Sequence, residues 1–251
     1  MRKFFVSSDQ IDGQKIFLEE ESYKHMIQVL RMEIGDEMWI SDGESMEYFC
    51  SIESIDIDEK TLILAISETR EFSVESPLDI CLCQGLPKSD KMDMIVQKNT
   101  ELGINTIIPL AMERSIVKLD AKKSAKKCDR WQKIAQEAAK QSKRNKIPTI
   151  ESVRKLPELL KTIEDGIILV PYEDEKKQTL KETLKSLDRN KKIYIVIGPE
   201  GGFEESEIDM LRNHGAKILS LGPRILRTET AGLMIHSILQ YELGDVGESK
   251  S

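Results

Sequence analysis

Two hydrophobic rhythms divide the chain. Up to residue 72 the apolar positions come in short runs, KFFV, QKIFL, EMWIS, MEYFCSIESI and TLILAIS. Runs of this length, rich in aromatic and β-branched residues, predict strands. Asp42-Gly43 between two of them predicts a hairpin. One helix interrupts the series, because Tyr23, Met26, Ile27 and Leu30 fall at helical spacing between Glu20 and Arg31. Strands of this kind predict a small barrel over residues 1–72.

The segment EFSVESPL, residues 71–78, reads as a linker, and from 73 to 251 strand and helix patterns alternate. DICLCQGL is a strand. Ser89 or Asp90 caps a helix carrying Met92, Ile95, Val96, Asn99 and Leu102 on one face, and Gly103 ends it. NTIIPL is the next strand, a basic helix spans roughly 124–144, and PTIESV follows. LPELLKTI, IILVP and KQTLKETLKSL add a helix, a strand and a helix. Such alternation predicts an α/β domain with a mainly parallel sheet covered on both faces.

The most informative stretch is 193–231, which repeats one pattern. The apolar run Ile193–Ile197 meets the loop Gly198–Gly202, and a helix follows; Ile218–Leu221 then meets Gly222–Arg227, and a second helix follows. In parallel sheets ligands bind at the carboxyl ends of strands, where these loops fall. Glycines there let backbone groups approach a ligand closely. The sequence GPEGG is neither a dinucleotide fingerprint nor a phosphate-binding P-loop. Leu221, Ile225 and Leu226 beside the loops suit an adenine-sized ligand better than a phosphate.

Charge changes the picture for the rest. The net charge is −7, yet residues 114–146 hold twelve Lys/Arg against three Asp/Glu. A patch so one-sided on an acidic protein suits a nucleic-acid backbone, and the spacing of its cations puts RNA binding ahead of the plainer alternative, a solvated helix face. Cys50, Cys81, Cys83 and Cys128 form no C-x-x-C pair. They read as reduced thiols of a cytoplasmic protein, with Cys81 and Cys83 packed on one side of a strand. His25, His214 and His236 are scattered, so no metal is expected. No apolar run is long enough to span a bilayer, and MRKFFVSSDQIDGQ lacks the apolar region of a signal peptide.

GPEGGF at 198–203 and LGPRILRTETA at 221–231 resemble the two signature blocks of the ribosomal RNA small-subunit methyltransferase E family. HMIQVLRM at 25–32, QKNTELGI at 97–104, ERS at 113–115 and EAAKQSKRNKIP at 137–148 are similar to that family too. The resemblance implies a PUA-like β-barrel followed by a SPOUT α/β domain with a trefoil knot near 198–230. Ordinary topology rules do not suggest that knot. It also implies a homodimer that transfers a methyl group from S-adenosylmethionine to N3 of a uridine in 16S rRNA. The cofactor would then lie against Ile197, Gly198, Pro199, Glu200, Gly201 and Gly202, and against Leu221, Gly222, Pro223, Leu226, Arg227 and Thr228. The last helix, about 229–243, presents Ala231, Met234, Ile235, Ile238 and Leu239, an apolar face that suits pairing.

The reaction itself names candidates. A uridine N3–H must lose its proton as the methyl arrives, which needs a carboxylate and a cation. Arg227 fits the cation, and Glu229 or Glu200 the carboxylate. Thr228 reads more simply as the cap of the last helix. Lys24, Arg31, Arg114, Lys140, Lys143 and Arg144 are the candidate RNA contacts. Two other readings compete: an RNA-binding assembly factor without catalysis, and an ATP-dependent enzyme using the same loops.

Overall fold

The structure is a computed structural model that describes residues 3–247. The described residues form two compact units. One comprises residues up to Glu75 together with Lys143–Lys146, and the other comprises Ser76–Ser142 and the chain from Ile147 onward.

In the first unit, β1 (Lys3–Phe5), β2 (Ile11–Asp12), β3 (Lys15–Glu19), β4 (Glu37–Ser41), β5 (Met46–Asp56) and β6 (Thr61–Glu71) form one sheet. Its order is β1-β4-β5-β6-β3-β2, parallel between β1 and β4 and antiparallel elsewhere. Alternation along the strands sends Ile16, Leu18, Met38, Ile40, Leu62 and Leu64 into the core. Asp42-Gly43 does turn the chain between β4 and β5. The Asp42 carboxylate accepts the amides of Glu44 (2.8 Å) and Met46 (3.1 Å), and Gly43 has φ +81°. The single helix expected between Glu20 and Arg31 is instead α1 (Glu20–Tyr23) continuing into a π-helical turn, Lys24–Val29. It ends before Arg31, whose φ of +53° breaks the helical run.

Lys143–Lys146 closes this unit through side chains. Asn145 is fully buried; its side chain accepts the Val74 amide (3.1 Å) and donates to the Phe72 carbonyl (2.6 Å). Glu75 accepts the amides of Asn145 (2.8 Å) and Lys146 (3.0 Å) on one oxygen and the Arg144 guanidinium (2.5 Å) on the other.

The second unit contains β7 (Ile80–Gly85), α2 (Lys91–Glu101), β8 (Thr106–Ala111), α3 (Ala121–Gln141), β9 (Thr149–Ile150) and β10 (Arg154–Lys155). There follow α4 (Leu156–Leu160), β11 (Ile167–Pro171), α5 (Leu180–Leu184), β12 (Ile193–Ile197), α6 (Glu205–Asn213), β13 (Lys217–Leu219) and α7 (Thr228–Glu242). The sheet order is β10-β8-β7-β12-β11-β13, with β9 also on β8, and all pairings are parallel. Side chains of α2, α3, α5 and α7 pack on one face with Ile80, Leu82 and Ile195. Those of α4 and α6 pack on the other with Cys81, Cys83 and Val196. The apolar run IYIVI is thus explained, because β12 is central and covered on both sides.

Helix α3 runs from Ala121, capped by Asp120 through the Lys123 amide (2.8 Å), rather than from 124. It stops at Gln141 rather than 144, because Lys143 takes a left-handed φ of +61°. Gly103, with φ +95°, ends α2 as its position predicts. No described helix is long and apolar enough to cross a membrane.

Candidate functional site

The site grows from the central strands. β12 delivers Gly198 at its end, and the loop turns on a bond from the Gly202 amide to the Pro199 carbonyl (2.9 Å) with Gly202 at φ +72°. The neighbouring strand β7 also ends in glycine for a steric reason. A Cβ at Gly85 would lie 2.6 Å from the Pro199 nitrogen, so any other residue would push the loop away. A Cβ at Gly201 would meet the Arg114 Cβ at 2.9 Å and its carbonyl oxygen at 3.1 Å.

Three further interactions fix this loop. Arg114 clamps it, donating to both oxygens of Glu204 (2.8 and 3.2 Å) and to the Gly201 carbonyl (3.2 Å). The buried Glu207 accepts the amides of Glu113 (3.1 Å) and Glu204 (2.9 Å), tying the end of β8 to the start of α6. Thr228 supplies the third. Its hydroxyl donates to the Gly198 carbonyl (2.5 Å) and accepts from the Gln84 side-chain amide (2.8 Å). The expected capping role of Thr228 is therefore corrected. Arg227 occupies the cap position of α7, and the Thr228 hydroxyl points inward to link β7, the first glycine loop and α7.

The carboxylates meet at Lys91, the first residue of α2. Its ammonium lies 3.0 Å from Glu200 and 3.2 Å from Glu229. Glu200 also accepts the Lys88 amide (3.0 Å). Burial would raise the Glu200 pKa, but the Lys91 bond and the Lys88 amide outweigh it and hold the carboxyl below its usual value. The bonds to Glu200 and Glu229 raise Lys91, so the ammonium stays charged.

These parts surround a cavity of about 390 Å³, within the usual range for small-molecule sites. The first loop lines it from Ile197 to Phe203, the second from Ile225 to Thr228, and Lys91, Pro171, Tyr172, Glu173 and Ala231 complete it. Arg227 borders it with an exposed side chain that has no hydrogen bond or ion pair among the described residues. Leu221 and Gly222 line a separate apolar cavity of about 570 Å³ with Leu180, Leu184, Met234 and Ile238; Pro223 borders neither. Glu229 contacts Lys91 but does not line the cavity. Sequence reasoning missed Gln84, Gly85, Lys91 and Tyr172. Their signal was position alone, Gln84, Gly85 and Tyr172 at or just beyond the ends of β7 and β11 and Lys91 at the start of α2.

Of the candidate RNA contacts, Lys24, Arg31 and Lys143 are exposed. Lys140 is half-buried and bonded to Glu137 (2.9 Å). Arg114 spends its donors on Glu204 and Gly201. Arg144 is a correction: it is only 4% exposed, and its guanidinium lies against Glu75, whose side chain is 10% exposed. Other cations of the basic segment 114–146 share one surface. A groove between α2 and α3 is lined by Lys98, Lys123, Lys126, Lys127, Arg130 and Lys133 against Glu101, Asp129 and Glu137. Lys126, Lys127 and Lys133 have no ion partner among the described residues. Among the described residues no group of three or more His, Cys, Asp or Glu could hold a metal ion.

Comparison with known proteins agrees with this architecture. Residues 74–240 match the model of the RNA methyltransferase domain, and residues 18–66 match that of the RNA methyltransferase PUA domain. The chain is thus built as an RNA methyltransferase domain with an appended PUA domain. The ribosomal RNA small subunit methyltransferase E of Bacillus subtilis is 38% identical over 250 residues, covering 96% of this chain and 97% of that protein. Its namesake in Aquifex aeolicus is 36% identical, covering 92% of this chain and 96% of that protein. A crystal structure of the Neisseria gonorrhoeae enzyme of the same name, bound to S-adenosyl methionine, superposes with a TM-score of 0.83 at 29% identity, covering 98% and 99% of the two chains. This chain belongs to the ribosomal RNA small subunit methyltransferase E family.

Proposed function

We propose that this protein transfers a methyl group from S-adenosylmethionine to N3 of a uridine in 16S rRNA. The observation that carries the reading is the convergence of both glycine loops, Lys91 with Glu200, and the unpaired Arg227 on one small cavity. The cavity fits the cofactor in kind: backbone of residues 198–202 on one side, apolar Ile225, Leu226 and Phe203 nearby, and acidic Glu173 and Glu200 for cationic groups. When bound, the cofactor supplies an activated methyl group on a sulfonium. The chain has to orient the acceptor nitrogen, exclude water and manage one proton and one developing negative charge.

Arg227, exposed at the rim, receives a carbonyl oxygen of the base. Glu200, rather than Glu229, takes the N3 proton, since only Glu200 lines the cavity. The base has to leave its stack to enter, because N3 lies on the pairing edge. An assembly factor without catalysis would need neither the pocket nor its clamps, and the absent P-loop lysine weighs against ATP.

Phosphates are held, in this reading, by the exposed Lys24, Arg31 and Lys143 and by the α2–α3 groove. Replacing Lys126, Lys127 and Lys133 with Ala should lower the salt dependence of RNA affinity by about 2–3 in the slope of log K against log salt. Cofactor affinity should be unchanged. An unaltered slope by filter binding across a salt series would remove the groove from the RNA path.

Four further features belong to the same reading. The first unit closes as a PUA-like barrel, and the second is knotted, consistent with late-arriving β12 lying between β7 and β11. An experimental chain trace without threading would refute the knot. The chain acts in the cytoplasm as a homodimer that pairs through α7, where Ile235 and Leu239 are spent on the monomer's own core and Leu233, Met234 and Ile238 stay partly open. Sedimentation equilibrium at micromolar concentration should give twice the chain mass; a single-chain mass would rule the dimer out.

A further inference from the structure

We propose that Lys91 is a catalytic residue of this site: its ammonium, fixed by Glu200 and Glu229, donates to a carbonyl oxygen of the acceptor base. The proposal rests on the functional reading above and adds a residue to it.

Three observations carry the argument. Lys91 lines the cavity, whereas Glu229, which contacts it, does not. An ammonium has three donors. Its nitrogen lies 3.0 Å from Glu200 and 3.2 Å from Glu229, which come from the first glycine loop and from α7. As the ammonium also lines the cavity, it is placed to turn a donor toward a bound base. Finally, Lys91 opens α2, where the helix dipole disfavours a positive charge. A lysine placed against that field and held by two carboxylates is a preorganised cation, which needs no reorganisation when charge develops in front of it.

In the step, the N3–H bond breaks and its proton passes to a Glu200 carboxylate oxygen. The N3 electron pair forms the bond to the methyl carbon, and the carbon–sulfur bond breaks with its electrons staying on sulfur. Negative charge shared by N3 and the flanking carbonyl oxygens is met by Lys91. As the ammonium leans toward that oxygen it loosens from Glu200, which then becomes the better proton acceptor.

The competing role is purely structural, a cross-link between loop and helix. The two differ in how the defect responds to the acidity of the base. Lys91→Met and Lys91→Arg are assayed with S-adenosylmethionine on 16S RNA transcribed with uridine or with 5-fluorouridine, whose N3–H is more acidic. Lys91→Met should lower kcat on uridine RNA by about 100-fold, as loss of one oxyanion donor does. On 5-fluorouridine RNA the deficit should shrink to about tenfold or less, and it should also shrink as pH rises. Lys91→Arg should retain activity within about tenfold. Cofactor affinity by calorimetry serves as the folding control, with Lys91→Gln in reserve should Lys91→Met not bind. An equal deficit on both RNAs and at all pH values would overturn the proposal. Wild-type product other than an N3-methylated uridine would instead overturn the reading beneath it.

Discussion

Arg144→Ala should destabilise the first unit by about 3–5 kcal/mol, the usual consequence of leaving a buried charge without its partner. Glu75 would keep the amides of Asn145 and Lys146 but lose the guanidinium that lies against it. The effect should depend on pH with a definite sign. Burial raises the Glu75 pKa, but bonding to Arg144, aided by the two amides, more than offsets this and lowers it overall. A carboxylate depressed on folding contributes stability that is present above its unfolded pKa, about 4.3. That stability is lost as pH falls through the folded value. The gap between wild type and Arg144→Ala should therefore be widest near neutrality and close in acid. Urea unfolding followed by Trp39 emission, in a Trp131→Phe background, isolates the first unit. A gap that stays constant with pH would mean the ion pair is not its source.

Arg227→Ala should lower turnover by about 100-fold while leaving both cofactor and RNA affinity close to wild type. The magnitude is that of removing one donor to a developing oxyanion. The selectivity follows from position: the side chain is exposed at the cavity rim and has no internal partner to lose. Neither α7 nor the first loop depends on it, since Gln84 and Thr228 fix that junction. Single-turnover methyl transfer with labelled cofactor separates the chemical step from binding. Full activity in the variant would take Arg227 out of the mechanism.

What could be read from the chain depended on whether the cause was local. The strands of the first unit, the hairpin at Asp42-Gly43 and the stop at Gly103 are written in periodicity and turn residues, and they stand where expected. The two glycine loops were equally legible, because short apolar runs ending in glycine place a loop at the carboxyl edge of a sheet. Arg144 was misread for the opposite reason. In the sequence it is one cation in a basic segment, and nothing local shows that Glu75, 69 residues earlier, lies against it. Thr228 failed in the same way: beside a helix start a threonine reads as a cap, but its hydroxyl is claimed by Gln84 and Gly198 from distant strands. Lys91 lay in the unremarkable string PKSDK and became a site residue only when loop and helix brought Glu200 and Glu229 to it. Helix α3 was placed three residues late because Asp120 was not read as its cap.

The measurement that bears most directly on the account is methyl transfer to small-subunit RNA or assembled 30S subunits, with the modified nucleoside identified by mass spectrometry against authentic standards. The account predicts a single methyl group on N3 of one uridine, made only when S-adenosylmethionine is present. A methyl group on another base, on carbon 5 or on a ribose hydroxyl, or no transfer to either substrate, would contradict it.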